Sequence, residues 1–310
     1  MNKYIVTTTI QPPTEATHKF SEMKDWTLII VGDQKTPHKE YENGNWIYIH
    51  PDYQQERYPK LSEAIGWHCI MRRNIGFIEA YRMGADIVAT VDDDNIPYSD
   101  WGKQVFVGEY FNTKLYDVPN SCLAFDPLSV TNHPEVWHRG YPIDTVHFSR
   151  IPIYQETKNQ KILIQANLWD GDPDVDAICR MIYQPTYTQL TSPFGYSSEK
   201  YIPFNSQNTF LAREVLPVYM VLPHVGRVDD IWGGYIAQYL LNTRPVFFPP
   251  TTYQQRNPQS LQKNLQDELF GYANTSIFLQ NLNKFEIILP EKARYAYDLY
   301  RKAYENFNSH

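Results

Sequence analysis

"ADIVATVDDDNIPY", residues 85–98, decides how the fold is read. Residues 85–91 run apolar without alternation, the pattern of a strand covered on both faces in a parallel sheet. Three carboxylates follow at once, Asp92, Asp93 and Asp94. Like charges packed together cost free energy unless something positive sits between them. At a surface turn they would fan out into water; at the end of a buried strand they can hold a cation and what it carries. In an extended segment side chains two apart share a face. Asp92 and Asp94 can therefore point one way, with Asp93 opposed or braced by backbone. A hard cation such as Mg2+ or Mn2+ takes carboxylate and phosphate oxygens. One carboxylate with two diphosphate oxygens would serve it, leaving a second carboxylate for a ribose hydroxyl.

Upstream, strand and helix signals alternate. "YIVTTTI" (4–10) and "WTLIIVGD" (26–33) read as strands, "WIYIH" (46–50) as a third, and "PPTEATHKFSEM" as a helix start. A helix is expected from about Leu61 to Met83, interrupted near Gly66 and stopped at Gly84. Such alternation implies a parallel sheet with right-handed crossovers, whose ligands sit at the carboxyl ends of the strands. Thr7 to Thr9, Asp33 and the aspartate run all fall there. From about 115 to 250 short strands and polar, proline-containing loops are expected. The end turns helical, with Ala296, Leu299, Tyr300, Ala303 and Phe307 on one packing stripe. The expected division is a nucleotide-binding half (1–110), an acceptor and catalytic half (111–255) and a helical extension (256–310).

The chain has 310 residues, a formal net charge of −7 and 42% hydrophobic residues, which suits one large domain with a real core. The mild acidity speaks against nucleic acid, which needs a basic stripe; a divalent cation would let an acidic site accept phosphate. The 24 Tyr and 7 Trp fill a core or stack on sugars and bases. Three scattered cysteines make neither a disulfide framework nor a zinc site. The N-terminus opens directly on a strand, without a signal peptide, and no long apolar run occurs. The expectation is a cytoplasmic, soluble chain without a membrane span, of unassigned oligomeric state.

Other stretches offer chemistry. In "RRN", Arg72-Arg73-Asn74, Arg73 could clamp phosphate and Asn74 could bond a base edge, unless the two arginines simply belong to a solvated helix face. Neither common glycine-rich phosphate loop is present, which argues against a P-loop ATPase and an NAD-dependent dehydrogenase. In "RVDDIWGGYIAQYLL" (227–241) a helix should begin at Asp229 and Asp230, where its dipole favours an ionised carboxylate. Asp230 is the base candidate, with Asp229 capping. "PFNSQNTFLAR" offers Asn205, Gln207 and Asn208 to a hydroxyl-rich ligand, and Trp232 joins this sugar-contacting set. "WDGDPDVD" (169–176) faintly resembles a calcium loop but lacks its closing Glu and helix flanks. Of nine histidines only His224 lies near a candidate.

Together these pieces resemble the STELLO-type GT-A glycosyltransferase domain and its chlorella-virus relatives. The residues carrying this are "TTTIQPPTEATHKF", "DWTLIIVGDQKTP", "RRNIGFIEAYRMGADIVATVDDDNIPY", "HRGYP", "PFNSQNT" and "RVDDIWGGYIAQYLL", in the expected order over roughly residues 5 to 250. A more distant likeness is to the reversibly glycosylated polypeptide and UDP-arabinose mutase group. The resemblance implies an α/β GT-A fold with a Rossmann-like nucleotide half. It implies that Thr8 and Asp33 contact uridine, that Arg73 binds the nucleotide with Asn74 assisting, that Asp92 faces the ribose and that Asp94 holds the metal; Asp93 stays with the nucleotide set. Asp230 matches the family's acidic position before "IW". "YQQRNPQS" offers no late histidine to the metal, leaving Asp94 as sole protein ligand.

The activity so implied is metal-dependent transfer of a sugar from a UDP-sugar to a glycan hydroxyl, inverting, with Asp230 as general base. UDP-xylose is the donor pointed to by the viral relatives. A retaining transferase, a UDP-sugar mutase that glycosylates itself, and a non-catalytic sugar-nucleotide scaffold remain as alternatives.

Overall fold

Four parallel strands build the first half: β1 (Lys3–Thr9), β2 (Thr27–Gly32), β3 (Ile47–Ile49) and β4 (Ile87–Val91), in the order β3-β2-β1-β4. Every residue of β4 is buried, as its unbroken apolar run requires. The computed structural model describes residues 1–147, 150–255, 259–305 and 307. Part of "YQQRNPQS", residues 256–258, and most of the last five residues lie outside these.

The helices of this half are α1 (Glu15–Ser21), α2 (Pro51–Arg57), α3 (Pro59–Ile65) and α4 (Arg73–Arg82). Helix α1 starts later than Pro12-Pro13, at Thr14, whose side chain accepts from the Thr17 amide. The break expected near Gly66 is real: α3 ends there with φ +79, and a short 3-10 turn over 70–72 leads into α4. Gly76 brings α4 close to the sheet, since a Cβ there would meet Val6 and Val31.

After β4 the chain leaves this sheet through Asp92–Asp94 to form β5 (Asn95–Pro97). The remaining strands are β6 (Tyr110–Asp117), β7 (Ile153–Lys161), β8 (Ile164–Asn167), β9 (Asp170–Gly171), β10 (Tyr196–Ser197), β11 (Asn208–Ala212), β12 (Val246–Phe248) and β13 (Thr252–Gln254). The main sheet has ten strands, β3-β2-β1-β4-β11-β8-β12-β10-β6-β7, with β11 antiparallel to β4. A small sheet, β5-β13-β9, stands at its end. This is a mixed α/β architecture with a large central sheet, consistent with the GT-A type. The two halves share one sheet and one continuous core, running from Ile5 to Tyr304.

Two expectations need correction. Strands in the second half are not all short: β6 and β7 form an antiparallel pair of eight and nine residues. Strand β7, "IYQETKNQK", is an exposed polar edge, so it lacks the alternation by which strands are read. A helix also stands in the expected loop, α5 (Ala177–Tyr183), capped by Asp176. Helix α6 (Asp229–Leu241) follows the prediction, and α7 (Leu261–Gln280), α8 (Phe285–Ile288) and α9 (Glu291–Glu305) close the fold. The α9 stripe is a packing face: α9 lies on α3 and α4, and Tyr297 and Tyr300 donate to the carbonyls of Val218 and Leu216.

Candidate functional site

The carboxyl ends of β1, β2 and β4 open into a cleft of two adjoining cavities, with Ile70 bordering both. The first, about 200 Å³, is lined by Thr8, Thr9, Asp33, His68, Cys69 and Asp93. Asp33 is fixed by the amides of His68 (2.7 Å) and Cys69 (3.3 Å), with the His68 Nδ1 at 3.2 Å. Thr8 donates to the Val31 carbonyl at 2.7 Å. The carboxylate of Asp93 turns back to accept from the Thr9 hydroxyl, and its carbonyl accepts from Thr14 at 2.6 Å. That bracing separates it from Asp92. Burial, the largest influence, raises the Asp93 carboxyl above its ordinary range, against the Thr9 hydrogen bond.

The second cavity, about 220 Å³, gathers Asp92, Asp94, Ser206, Gln207, Asp229 and Asp230. Residues 138 apart in sequence thus meet because β4 ends and α6 begins at this cleft. Asp92 accepts from Arg73 Nη2 at 2.6 Å, and the Asp94 carboxylate accepts from Gln254 Nε2 at 3.4 Å.

Arg73 and Asn74 do not reach either cavity. Arg73 is 1% exposed and donates to Thr90 Oγ1, to the Ser206 carbonyl and hydroxyl, and to Asp92. It stands behind Asp92 and holds it. Asn74 is fully buried and pairs with Val221 in both directions, donating to its carbonyl at 2.8 Å and accepting from its amide at 2.9 Å. In this structure both side chains make internal contacts, and neither lines the cleft where a nucleotide would lie. The reason is that α4 is buried along nearly its whole length, so its polar groups must be satisfied internally.

Of the proposed sugar-contacting set, Gln207 and Asp229 line the cleft, and Asn205 stands beside it, donating to Asp174 and Gln207. Asn208 is buried between Trp101, Leu168 and Thr251. Trp232 is fully buried, stacked on Phe278 at 3.9 Å and donating to Thr275. Both belong to the core. His224 bonds the Ala64 carbonyl and lines neither cavity.

The residue that sequence reading missed is Arg139, of "HRGYP". It is buried at the cavity wall, forks onto Asp174 (2.7 and 2.9 Å), donates to Asp230 Oδ1 at 3.0 Å and lies 3.7 Å from Asp229. Its Nη1 also donates to the Arg227 carbonyl. The four aspartates of "WDGDPDVD" diverge: Asp170 takes Tyr98, Asp172 takes Arg180, Asp174 takes Arg139 and Asp176 caps α5. That dispersal removes the calcium-loop reading.

One guanidinium thus faces three buried carboxylates, and they divide the charge. Burial pushes Asp230 upward, but Arg139 and the Ser206 amide outweigh it and leave its pKa lowered. Asp229 is raised to about 8 by burial and by the neighbouring Asp230, against Arg139. Asp229 is not the helix cap. It sits in the first turn of α6, accepting from the Asp230 amide at 2.9 Å, while the cap position falls on Val228. Asp230 accepts from Arg139 on one oxygen and from the Ser206 amide (2.9 Å) and hydroxyl (3.0 Å) on the other.

Among the described residues no group of three His, Cys, Asp or Glu side chains is arranged to hold a metal. The donors facing the cleft at Asp92 and Asp94 are oxygens on one side only. They fit a hard cation shared with ligand phosphates, and do not fit an all-protein cage.

No protein-family model matches the chain. Two curated proteins of Arabidopsis thaliana do, "Probable glycosyltransferase STELLO2" at 25% identity and "Probable glycosyltransferase STELLO1" at 24%, each over 273 residues and 81% of this chain. The homology is distant. The chain spans about a third (35%) of the length of these relatives.

Proposed function

We propose that this protein is a metal-dependent GT-A glycosyltransferase that moves a sugar from a UDP-sugar, UDP-xylose first among candidates, to a glycan hydroxyl with inversion. One observation carries the reading: the strand-end aspartates Asp92 and Asp94 open into the same cavity as Asp229 and Asp230, beside a second cavity large enough for part of a nucleoside. The distant homology to proteins named as glycosyltransferases supports it.

In this reading Thr8 and Asp33 bind uridine in the first cavity and Asp92, aimed by Arg73, takes a ribose hydroxyl. Asp94 supplies the protein oxygen for Mn2+ or Mg2+. When bound, such a cation neutralises the charge that develops on the departing diphosphate. Asp230 is ionised and held by three donors. Its Oδ1 accepts from Arg139 and retains a lone pair for an acceptor hydroxyl. The acceptor oxygen attacks C1, the C1–phosphate bond breaks, its electron pair leaves on UDP, and the hydroxyl proton passes to Asp230. General-base assistance of this kind contributes about 10²- to 10⁴-fold.

The test is a panel of UDP-sugars with Mn2+, scored for hydrolysis and for transfer to glycans, with the product anomer read by NMR. Inverted product with one donor, and a fall of about 10²-fold or more in Asp230→Asn, is expected. Retained configuration would remove Asp230 from the base role. Ring interconversion without an acceptor would make the protein a mutase, and full activity in Asp230→Asn a different enzyme.

A further inference from the structure

We propose that Arg227 is the cationic anchor for the donor's diphosphate, an inference that rests on the donor reading above. Among the described residues, the cavity that must receive this doubly charged group is lined by five aspartates and two arginines, Arg139 and Arg227. Arg139 spends its nitrogens on Asp174, Asp230 and the Arg227 carbonyl. Arg73 is enclosed behind Asp92. Arg227 differs from both. Its Nε donates to Glu268 at 3.0 Å, its side chain is 29% exposed, and its two Nη groups have no hydrogen-bond partner among the described residues. A guanidinium engaged at Nε still presents its outer Nη edge, which suits phosphate oxygens.

The backbone carrying it is fixed on two sides. The Arg227 carbonyl is held by Arg139 from within the cleft. Gly226, at φ +68, lies so close to α7 that a Cβ would stand 2.3 Å from the Asp267 carbonyl oxygen. Glu268, one residue on in α7, then orients the side chain and is itself 3% exposed. Ser206, Asp230 and Arg227 thus line one cavity with Asp94, so an anion held by a cation at Asp94 comes within the cavity that Arg227 borders.

The experiment is calorimetric titration of uridine, UMP, UDP and inorganic pyrophosphate into wild type, Arg227→Gln and Arg227→Lys, each with Mn2+. Loss of one charged, forked contact should weaken UDP and pyrophosphate by about 10- to 100-fold in Arg227→Gln. Arg227→Lys keeps the charge without the fork and should fall between. Uridine affinity should stay within about twofold, because the nucleoside cavity does not include Arg227. Equal weakening of uridine and UDP, in the lysine variant as well, would mean that Arg227 only braces the fold, and would overturn the inference. Unchanged UDP affinity would overturn it too, leaving the donor reading intact. Wild type that binds uridine but gains nothing from the phosphates would do the same. Wild type binding neither uridine nor UDP would bring down the donor reading itself.

Discussion

At Arg139 one positive charge meets Asp174, Asp229 and Asp230, and the outcome depends on which aspartate keeps a proton. Asp229 does, up to about pH 8, while Asp230 stays ionised. The sign of the pH effect follows. The unfolded chain releases the Asp229 proton near its ordinary value of 3.8, whereas the folded chain keeps it to about 8. In that window the folded state binds more protons, so this group's contribution to stability is full at low pH and declines as pH rises toward 8. Asp229→Asn mimics the protonated form and should flatten the decline. Urea unfolding of both proteins at pH 5, 6.5 and 8 checks this; parallel curves would place the proton elsewhere. Asp229 and Asp230 could be read as a charged helix start, but their meeting with Arg139 could not. Arg139 pairs with partners 35 and 91 residues away, and no local spacing encodes such a contact. The strand-end aspartates could be read, because a buried apolar strand and a charged exit are adjacent in sequence.

At the scale of elements the two decisive helices are buried rather than amphipathic. Helix α4 packs on β1 and β2 with α9 over it, and its charged N-terminal residues point inward. Charge on a helix usually marks a solvated face; from sequence that stands against a phosphate clamp, and neither reading weighs burial, which is what the structure shows for Arg73 and Asn74. Helix α6 is likewise enclosed over most of its length. Its Gly233 permits close approach: a Cβ there would lie 1.9 Å from the Met220 carbonyl oxygen. Gly233→Ala should therefore cost about 1–3 kcal/mol and shift the start of α6, with Asp230. Thermal unfolding beside a turnover assay checks both. An unaltered melting temperature would show that the Met220 segment yields freely. The exposed edge strand β7 was missed for the opposite reason, since a strand wet on both faces carries no hydrophobic period.

Over the whole molecule, three chain crossings join the large sheet to the small one: β4 to β5, β8 to β9 and β12 to β13. They bring Asp94, the Asp170 loop and Gln254 together at one end. Helix α9 closes the other side of the first half, over α3 and α4. Deleting residues 290–310 should expose that apolar surface and abolish soluble expression; a soluble monomer with wild-type melting temperature would show that α9 is dispensable. No described helix is long and apolar enough to cross a membrane. The element order and the strand-end site were legible because alternation of strand and helix restricts topology strongly. The pairing of β11 beside β4, which brings Ser206 to Arg73 and Asp230, was not, because it joins segments over 100 residues apart. The most direct measurement is calorimetric binding of UDP with and without Mn2+, in wild type and Asp94→Ala. The account predicts Mn2+-dependent binding to wild type that falls at least about tenfold in the variant. Equal, Mn2+-independent affinity in both proteins would contradict it.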